Sequence, residues 1–342
     1  MKAVHISKEG RELVDRPVPE PAAGEVLIRN IAVSSNPKDW KIPIFIEGYE
    51  AVEGNDVAGT VEAVGEGVSK FKKGDRVLAF TKMISGDKYG AYGEYSVSPA
   101  NTVARLGDKT SYEDAAALPL PYTTAVIGLF RRLGIQEPGA ASSGDKRGAV
   151  LVWGGATTVG VYAIQLAKLA GYHVVAVAGS SQDVAAKYGA DETLDYRSKS
   201  NDDLAAEIRR SNGGKGIRYL YDAVSENGTL EVAALALQDV DQAAYGHVLP
   251  LSDEKRQILP PNVRVEHILC GTAHSDESDG EFTEKWFDWL GPALDRGEFR
   301  RQRVTIIPGG LEGVAEGLRR LANHEVRGEK LVYRIQDTPG LA

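Results

Sequence analysis

One short segment limits the possible architecture more than any other: Val150-Leu-Val-Trp-Gly-Gly-Ala-Thr-Thr-Val-Gly160, continuing into Tyr162-Ala-Ile-Gln-Leu-Ala-Lys168. An unbroken apolar run ends in glycines and passes straight into an amphipathic helical pattern. That order predicts a buried parallel strand, a tight turn and a helix whose N-terminus faces an anion. A second apolar strand, His173-Val-Val-Ala-Val-Ala178, follows and closes a strand–helix–strand unit. Gly155 and Gly160 take the first and third glycine places of a dinucleotide-binding turn, and Thr157 stands in the second. An ordinary α/β turn without a ligand is the alternative.

The tip of the second strand bears on which dinucleotide would bind. An NAD site usually places a carboxylate about 20 residues beyond the glycines, where it accepts from the ribose 2′-hydroxyl. Here the chain reads Ala178-Gly-Ser-Ser-Gln-Asp183, so Ser180 and Ser181 offer hydroxyls instead. Lys187 follows on the next helical pattern, and Asp195-Tyr-Arg197 comes after a further short strand. A 2′-phosphate is repelled by a carboxylate and held by hydroxyls and a cation, which predicts NADPH over NADH. Asp183 is accounted for as a helix N-cap.

A chain of 342 residues exceeds what one hydrophobic core normally supports, so two domains are expected. The net charge of −8, with no basic run, argues against a nucleic-acid or anionic-membrane partner. Met1-Lys-Ala-Val-His-Ile6 is too short and polar for a signal peptide and reads as a strand. No apolar stretch reaches the length of a membrane span. Cys270 is the only cysteine, which excludes a disulfide framework and a cysteine-rich zinc site. The expectation is a soluble cytoplasmic protein.

Residues 1–123 hold short alternating strands and glycine turns, among them Glu25–Arg29, Val57–Val64, Asp75–Ala79 and Gly93–Val97. That spacing predicts a small barrel-like β domain. Residues 124–272 alternate strand and helix, with further strands at Ile217–Tyr221, Ala244–Leu249 and Val265–Leu269, as in an open parallel sheet. Glu137–Arg147 reads as a loop before the first of these strands. Helical patterns return over Phe282–Leu294 and Leu311–Leu321, ahead of a last strand, Lys330–Ile335.

Six separated segments, in order along essentially the whole chain, resemble the medium-chain dehydrogenase/reductase superfamily. Besides Val150–Gly160 with its helix, they include Gly54-Asn-Asp-Val-Ala-Gly-Thr-Val-Glu-Ala-Val-Gly65, Phe71-Lys-Lys-Gly-Asp-Arg-Val77 and Gly90-Ala-Tyr-Gly-Glu-Tyr95. Ala115-Ala-Ala-Leu-Pro119 and Gly309-Gly-Leu-Glu-Gly-Val314, with its closing Val326–Val332, complete them. The resemblance implies an α/β fold in which a GroES-like β-barrel-type catalytic domain, 1–123 with 273–342, surrounds a Rossmann NADPH-binding domain at 124–272, a doubly wound parallel sheet.

Alcohol dehydrogenases of that superfamily hold a catalytic Zn²⁺ with cysteine and histidine. The first zinc cysteine falls at Asn36 and the zinc histidine at Asn55, followed by Asp56 in place of a glutamate. Hard-oxygen groups match such a site poorly. None of the six histidines shows helical metal spacing. No catalytic metal is expected, and Asn36 and Asp56 are expected to form a polar link in its place.

The stretch Asn36-Pro-Lys-Asp-Trp-Lys41 and the Gly-Asn-Asp triplet look most like the zinc-free branch that contains quinone oxidoreductases and fungal trans-acting enoyl reductases. The resemblance implies hydride delivery from NADPH to the β-carbon of an activated C=C, with a donor for the developing enolate oxygen. Thr124 matches the threonine beside the nicotinamide, with a helix N-cap as the alternative role. Lys41 matches a lysine that meets an acyl carbonyl or carrier phosphate, with a solvated surface lysine as the alternative. Tyr49 is a candidate proton donor, or else a lid or packing residue. Family placement also puts the Thr157, Thr158 and Val159 amides at the pyrophosphate, and Lys187 and Tyr196 at the 2′-phosphate and adenine. Gly271 and Thr272 would pass the nicotinamide carboxamide, and Lys330 would contact the cofactor.

Three functions fit these residues. One is an enoyl reductase acting on a small-molecule or acyl-thioester substrate, alone or with the carrier protein of a polyketide synthase. Another is a quinone or alkenal reductase. The third is a cofactor-binding protein without redox turnover. A monomer and a homodimer are equally compatible with the sequence.

Overall fold

The computed structural model describes residues 1–139 and 147–341; of the expected loop at Glu137–Arg147, residues 140–146 lie outside the described residues. The chain divides into two compact units, Met1–Thr123 with Gly271–Ala342, and Thr124–Cys270. The second crossing point therefore falls two residues before the expected 272/273 boundary.

The first unit begins with β1 (Lys2–Ile6), β2 (Arg11–Asp15) and β3 (Glu25–Ser34), then helix α1 (Pro37–Phe45) and β4 (Ala51–Val52). After these come β5 (Asp56–Val64), β6 (Arg76–Phe80), β7 (Tyr95–Pro99) and β8 (Val103–Arg105), then α2 (Tyr112–Ala116) and α3 (Pro119–Val126). Alternation of apolar and polar residues turns Val26, Ile28, Val57, Val61, Val77 and Ala79 into one buried cluster. Proline at the first helical position and the Asp39 carboxylate, which accepts the Asn36 N–H at 2.8 Å, start α1.

In the second unit the helix turns to π geometry over Ile127–Arg132. Then follow β9 (Arg147–Trp153), α4 (Thr158–Leu169), β10 (Tyr172–Val177), α5 (Gln182–Lys187), β11 (Glu192–Leu194) and α6 (Asn201–Arg210). The rest is β12 (Tyr219–Asp222), α7 (Thr229–Leu237), β13 (Ala244–His247), α8 (Asp253–Arg256) and β14 (Arg264–His267). All six strands are parallel, in the order β11-β10-β9-β12-β13-β14. The chain reverses its direction of winding at β9, and in open α/β sheets ligands bind beyond the carboxyl ends of the strands at that point. The apolar runs Ala149–Trp153 and Val174–Val177 are buried throughout, as in the central strands of a parallel sheet covered on both faces.

The chain returns to the first unit with α9 (Glu277–Arg296), β15 (Val304–Ile306), α10 (Val314–Ala322) and β16 (Lys330–Arg334). Asp276 caps α9 by accepting the Asp279 N–H at 2.8 Å, and Gly297 ends it at φ 72°. The main sheet of this unit runs β15-β16-β3-β5-β6-β8, with β7 also on β3, and β2-β1-β4 form a smaller sheet. Only β15 and β16 pair in parallel among these strands.

Candidate functional site

Each unit carries a cluster of its own. In the second unit, the turn between β9 and α4 is drawn tight by the Val177 carbonyl, which accepts the N–H groups of Gly154 and Gly155, both at 3.0 Å. Gly160 has no space for a side chain: a Cβ there would lie 2.1 Å from the Gly154 oxygen. Thr157 caps α4, its hydroxyl oxygen accepting the Gly160 N–H at 3.0 Å, while its own N–H goes to the Gly154 carbonyl at 2.8 Å. The pyrophosphate role expected of the Thr157 amide is thus already taken up within the turn. Thr158 and Val159 are the first two residues of α4. A glycine-bounded helix start of this form fits a pyrophosphate.

At the tip of β10, Gly179 has φ 51°, and a Cβ there would sit 2.8 Å from the Tyr196 ring. Tyr196 is half exposed and stacked on Trp153 with ring centroids 6.3 Å apart, so one aromatic face lies over the tip. Ser180 is exposed there, and Lys187 is exposed at the end of α5. The cap of α5 is Ser181, not Asp183, which lies inside the first turn. Arg197 is bound to the Asp195 carboxylate through both Nε and Nη2, at 3.0 and 2.6 Å, and that ion pair holds the Asp195 carboxyl at about 2.

Beneath the winding reversal, Asp222 is buried and fully engaged. Its carboxylate accepts from the Val224 and Ser225 amides at 2.9 and 2.7 Å and from the Tyr245 hydroxyl at 2.7 Å. Burial nonetheless pushes its pKa up. Thr124 lies inside α3, so it is not the N-cap considered as its alternative role. Its carbonyl accepts the Tyr221 hydroxyl at 2.9 Å, and Tyr221 fits because Gly128 offers it no side chain.

In the first unit, strand register assembles a buried ionic cluster. Ser34 of β3 faces both Asp56 of β5 and Val332 of β16. Two residues before Val332, Lys330 therefore runs past the end of β3 to Asn36. Its ammonium lies 2.9 Å from Asp56 Oδ2 and donates to Asn36 Oδ1 at 2.5 Å. Asn36 Nδ2 donates to the same Asp56 oxygen at 2.7 Å, Ser34 Oγ donates to it at 3.0 Å, and the Leu120 N–H donates to Asp56 Oδ1. Lys330 is thus a buried partner of Asp56, in a place where contact with a cofactor was expected.

Lys38, Asp39, Glu53 and Tyr49 make a second cluster. The Lys38 ammonium bridges Asp39, at 2.7 Å, and Glu53, while the Tyr49 hydroxyl donates to the other Glu53 oxygen. Burial opposes the Lys38 charge, yet the two carboxylates raise its pKa above the ordinary lysine value. Burial and then the Glu53 charge push the Tyr49 phenol well up. A proton so held makes Tyr49 a poor acid, which counts against the proton-donor role. Lys41 is half-buried near the Trp40 ring at 5.5 Å, and Gly271 and Thr272 lie in the 3₁₀ turn Cys270–His274.

Among the described residues, no group of three or more His, Cys, Asp or Glu is placed to hold a metal. The positions expected of zinc ligands carry two carboxamides and a carboxylate already neutralised by a lysine. That donor set does not fit Zn²⁺.

Residues 22–108 match the alcohol dehydrogenase GroES-like domain family, and 158–246 match the zinc-binding dehydrogenase family. The chain is 31% identical to the trans-enoyl reductase fsr4 of Gibberella fujikuroi over 92% of both chains. The chain belongs to the medium-chain dehydrogenase/reductase superfamily. An alcohol dehydrogenase superfamily protein from Novosphingobium aromaticivorans has the same fold, with TM-score 0.79, 25% identity and coverage of 97% of this chain and 98% of that one. So does a mycobacterial protein solved in complex with NADPH, with TM-score 0.73, 24% identity and coverage of 98% and 99%. This superfamily chain is an oxidoreductase with an NAD(P)-binding Rossmann domain. Among its described residues no helix is long and apolar enough to cross a membrane.

Proposed function

We propose that this chain is an NADPH-dependent reductase of activated C=C bonds, of the enoyl reductase type, which acts on acyl thioesters without a catalytic metal. The observation that carries the reading is the near full-length similarity to a trans-enoyl reductase. The lysine-neutralised donor set at the zinc positions and the missing carboxylate at the tip of β10 support it.

NADPH supplies the hydride for the β-carbon. The amides of Thr158 and Val159 bind the pyrophosphate, and the Gly160 approach keeps α4 close enough for them to reach it. Ser180, Ser181 and Lys187 hold the 2′-phosphate while the exposed Tyr196 face covers the adenine. Thr124 is the donor for the substrate carbonyl as it becomes an enolate. Water supplies the proton for the α-carbon, because the Tyr49 proton is retained by Glu53.

The test is NADPH oxidation with crotonyl and longer enoyl thioesters, a simple enal and a benzoquinone, each with and without chelator. Chelator-resistant turnover of the thioesters supports the reading. Turnover confined to the quinone or enal replaces it with a quinone or alkenal reductase, and loss of turnover on chelation overturns the metal-free chemistry. Partnership with a synthase carrier protein belongs to the same proposal, and faster turnover of carrier-bound than free thioester is its test.

A further inference from the structure

Thr124 stands at the head of the second unit, and the same unit supplies what holds it in place. Tyr221 of β12 is fully buried, and its hydroxyl donates to the Thr124 carbonyl at 2.9 Å. On the other side of Tyr221, β12 pairs with β9, where Val152 lies opposite. The nucleotide-binding turn leaves the end of that same β9, just after Trp153. One phenol therefore ties the turn of α3 that carries Thr124 to the strands beneath the nucleotide-binding turn.

Two glycines let the helix come so close. A Cβ on Gly128, one turn after Thr124, would lie 2.4 Å from the Tyr221 ring. Gly246 lies opposite Tyr221 on β13, and a Cβ there would meet Ile268 at 2.9 Å and Leu133 at 3.2 Å. Close approaches of this kind need residues without side chains. The helix also turns to π geometry over Ile127–Arg132, just after Thr124. Such π segments occur frequently at functional sites. Burial raises the Tyr221 phenol well above its ordinary pKa, so the hydroxyl keeps its proton and remains a donor.

We propose that Tyr221 is a positioning residue of the reductase, its hydrogen bond to the Thr124 carbonyl setting where the Thr124 hydroxyl stands as donor to the substrate carbonyl. The proposal rests on the reductase reading, in which Thr124 is that donor.

Tyr221→Phe removes the one hydroxyl and keeps the ring. In the acceptor panel its kcat should fall about tenfold, since a small misplacement of a group at the reacting centre costs one to two orders of magnitude. KM for NADPH should change less than about twofold. A tyrosine that only supports the fold would lower the melting temperature and leave kcat as it is. The test is a double-mutant cycle with Thr124→Val. If Tyr221 acts through Thr124, Tyr221→Phe should change kcat less than about twofold once the Thr124 hydroxyl is gone. Its effect on the melting temperature should be the same in both backgrounds. Losses in kcat that simply multiply overturn the proposal, and so does an unchanged kcat in Tyr221→Phe alone. Full kcat in Thr124→Val removes Thr124 as the donor and overturns the proposal with it. If no acceptor is reduced, the reductase reading fails separately, and the emission of bound NADPH decides. Tyr221→Phe should then shift that emission in the unsubstituted protein and not in Thr124→Val, whereas equal shifts, or none, overturn the proposal.

Discussion

Lys330 and Asp56 face each other across 2.9 Å with their side chains 4% and 0% exposed, so a lysine from the last strand neutralises a carboxylate on β5. Replacing Lys330 by Met leaves the Asp56 charge buried without its counter-ion. Breaking a buried pair in this way costs about 3–5 kcal/mol, whereas removing both charges is often close to neutral. Urea denaturation should show that loss for Lys330→Met and recovery of most of it in the Lys330→Met, Asp56→Asn double variant.

His274 gives the first unit an acid-side weakness. Its ring stacks on Phe80 at 4.9 Å, and its Nε2 lies 2.8 Å from Thr102 Oγ1, which donates its own proton to the Phe80 carbonyl. Nε2 is therefore the protonated nitrogen, and Nδ1 is buried without a partner. Burial, with the Lys82 charge, lowers the pKa from 6.5 to about 4. The unfolded chain binds the proton first on acidification, so stability is complete above about 6.5 and falls as pH drops toward 4. The slope should approach about 1.4 kcal/mol per pH unit within that window. Melting curves of His274→Phe across the same range should lose this part of the pH dependence.

Gly160 is where the nucleotide-binding turn tolerates least. A methyl group 2.1 Å from the Gly154 oxygen must push α4 away from β9. Gly160→Ala should lose about 1–3 kcal/mol in urea denaturation, as overpacked cores do. Its NADPH affinity should also fall in a fluorescence titration.

The proposed 2′-phosphate contact of Lys187 is made by an exposed side chain and should be separable from stability. Lys187→Ala should weaken NADPH binding by about tenfold, the size of one charge-assisted contact, with NADH binding and the melting temperature unchanged. Equal loss for both cofactors would remove Lys187 from the 2′-phosphate.

The parallel sheet was legible because its signals are local. Val150–Trp153 had no polar residue to place on an exposed face, and the following glycines and Thr157 marked the turn and cap. Helix α1 was less legible, since Pro43 lies inside it, although Pro37 and Asp39, which reaches back to Asn36, mark where it begins. The expected role of Asp183 failed for a similar reason: Ser181 and Asp183 can both cap a helix, and the 3₁₀ turn Gly179–Ser181 decided between them. The link between Asn36 and Asp56 could be anticipated from the substituted zinc positions. Lys330 as its cation could not, because the contact depends on the register of β16 against β3. The same limit hid Glu53, whose partners Lys38 and Tyr49 become neighbours only once α1 is packed.

That register also imposes an order on synthesis. The strand bearing Lys330 lies between β15 and β3. A nascent chain therefore leaves the Ala32–Ser34 edge of β3 unpaired and Asp56 uncompensated until β16 has left the ribosome. The Rossmann unit, continuous from Thr124 to Cys270, has its own sheet complete well before then. Domains generally fold as units during synthesis. The central unit should thus mature first, and a ribosome stalled before Lys330 should carry a folded nucleotide-binding unit flanked by protease-sensitive, chaperone-dependent ends.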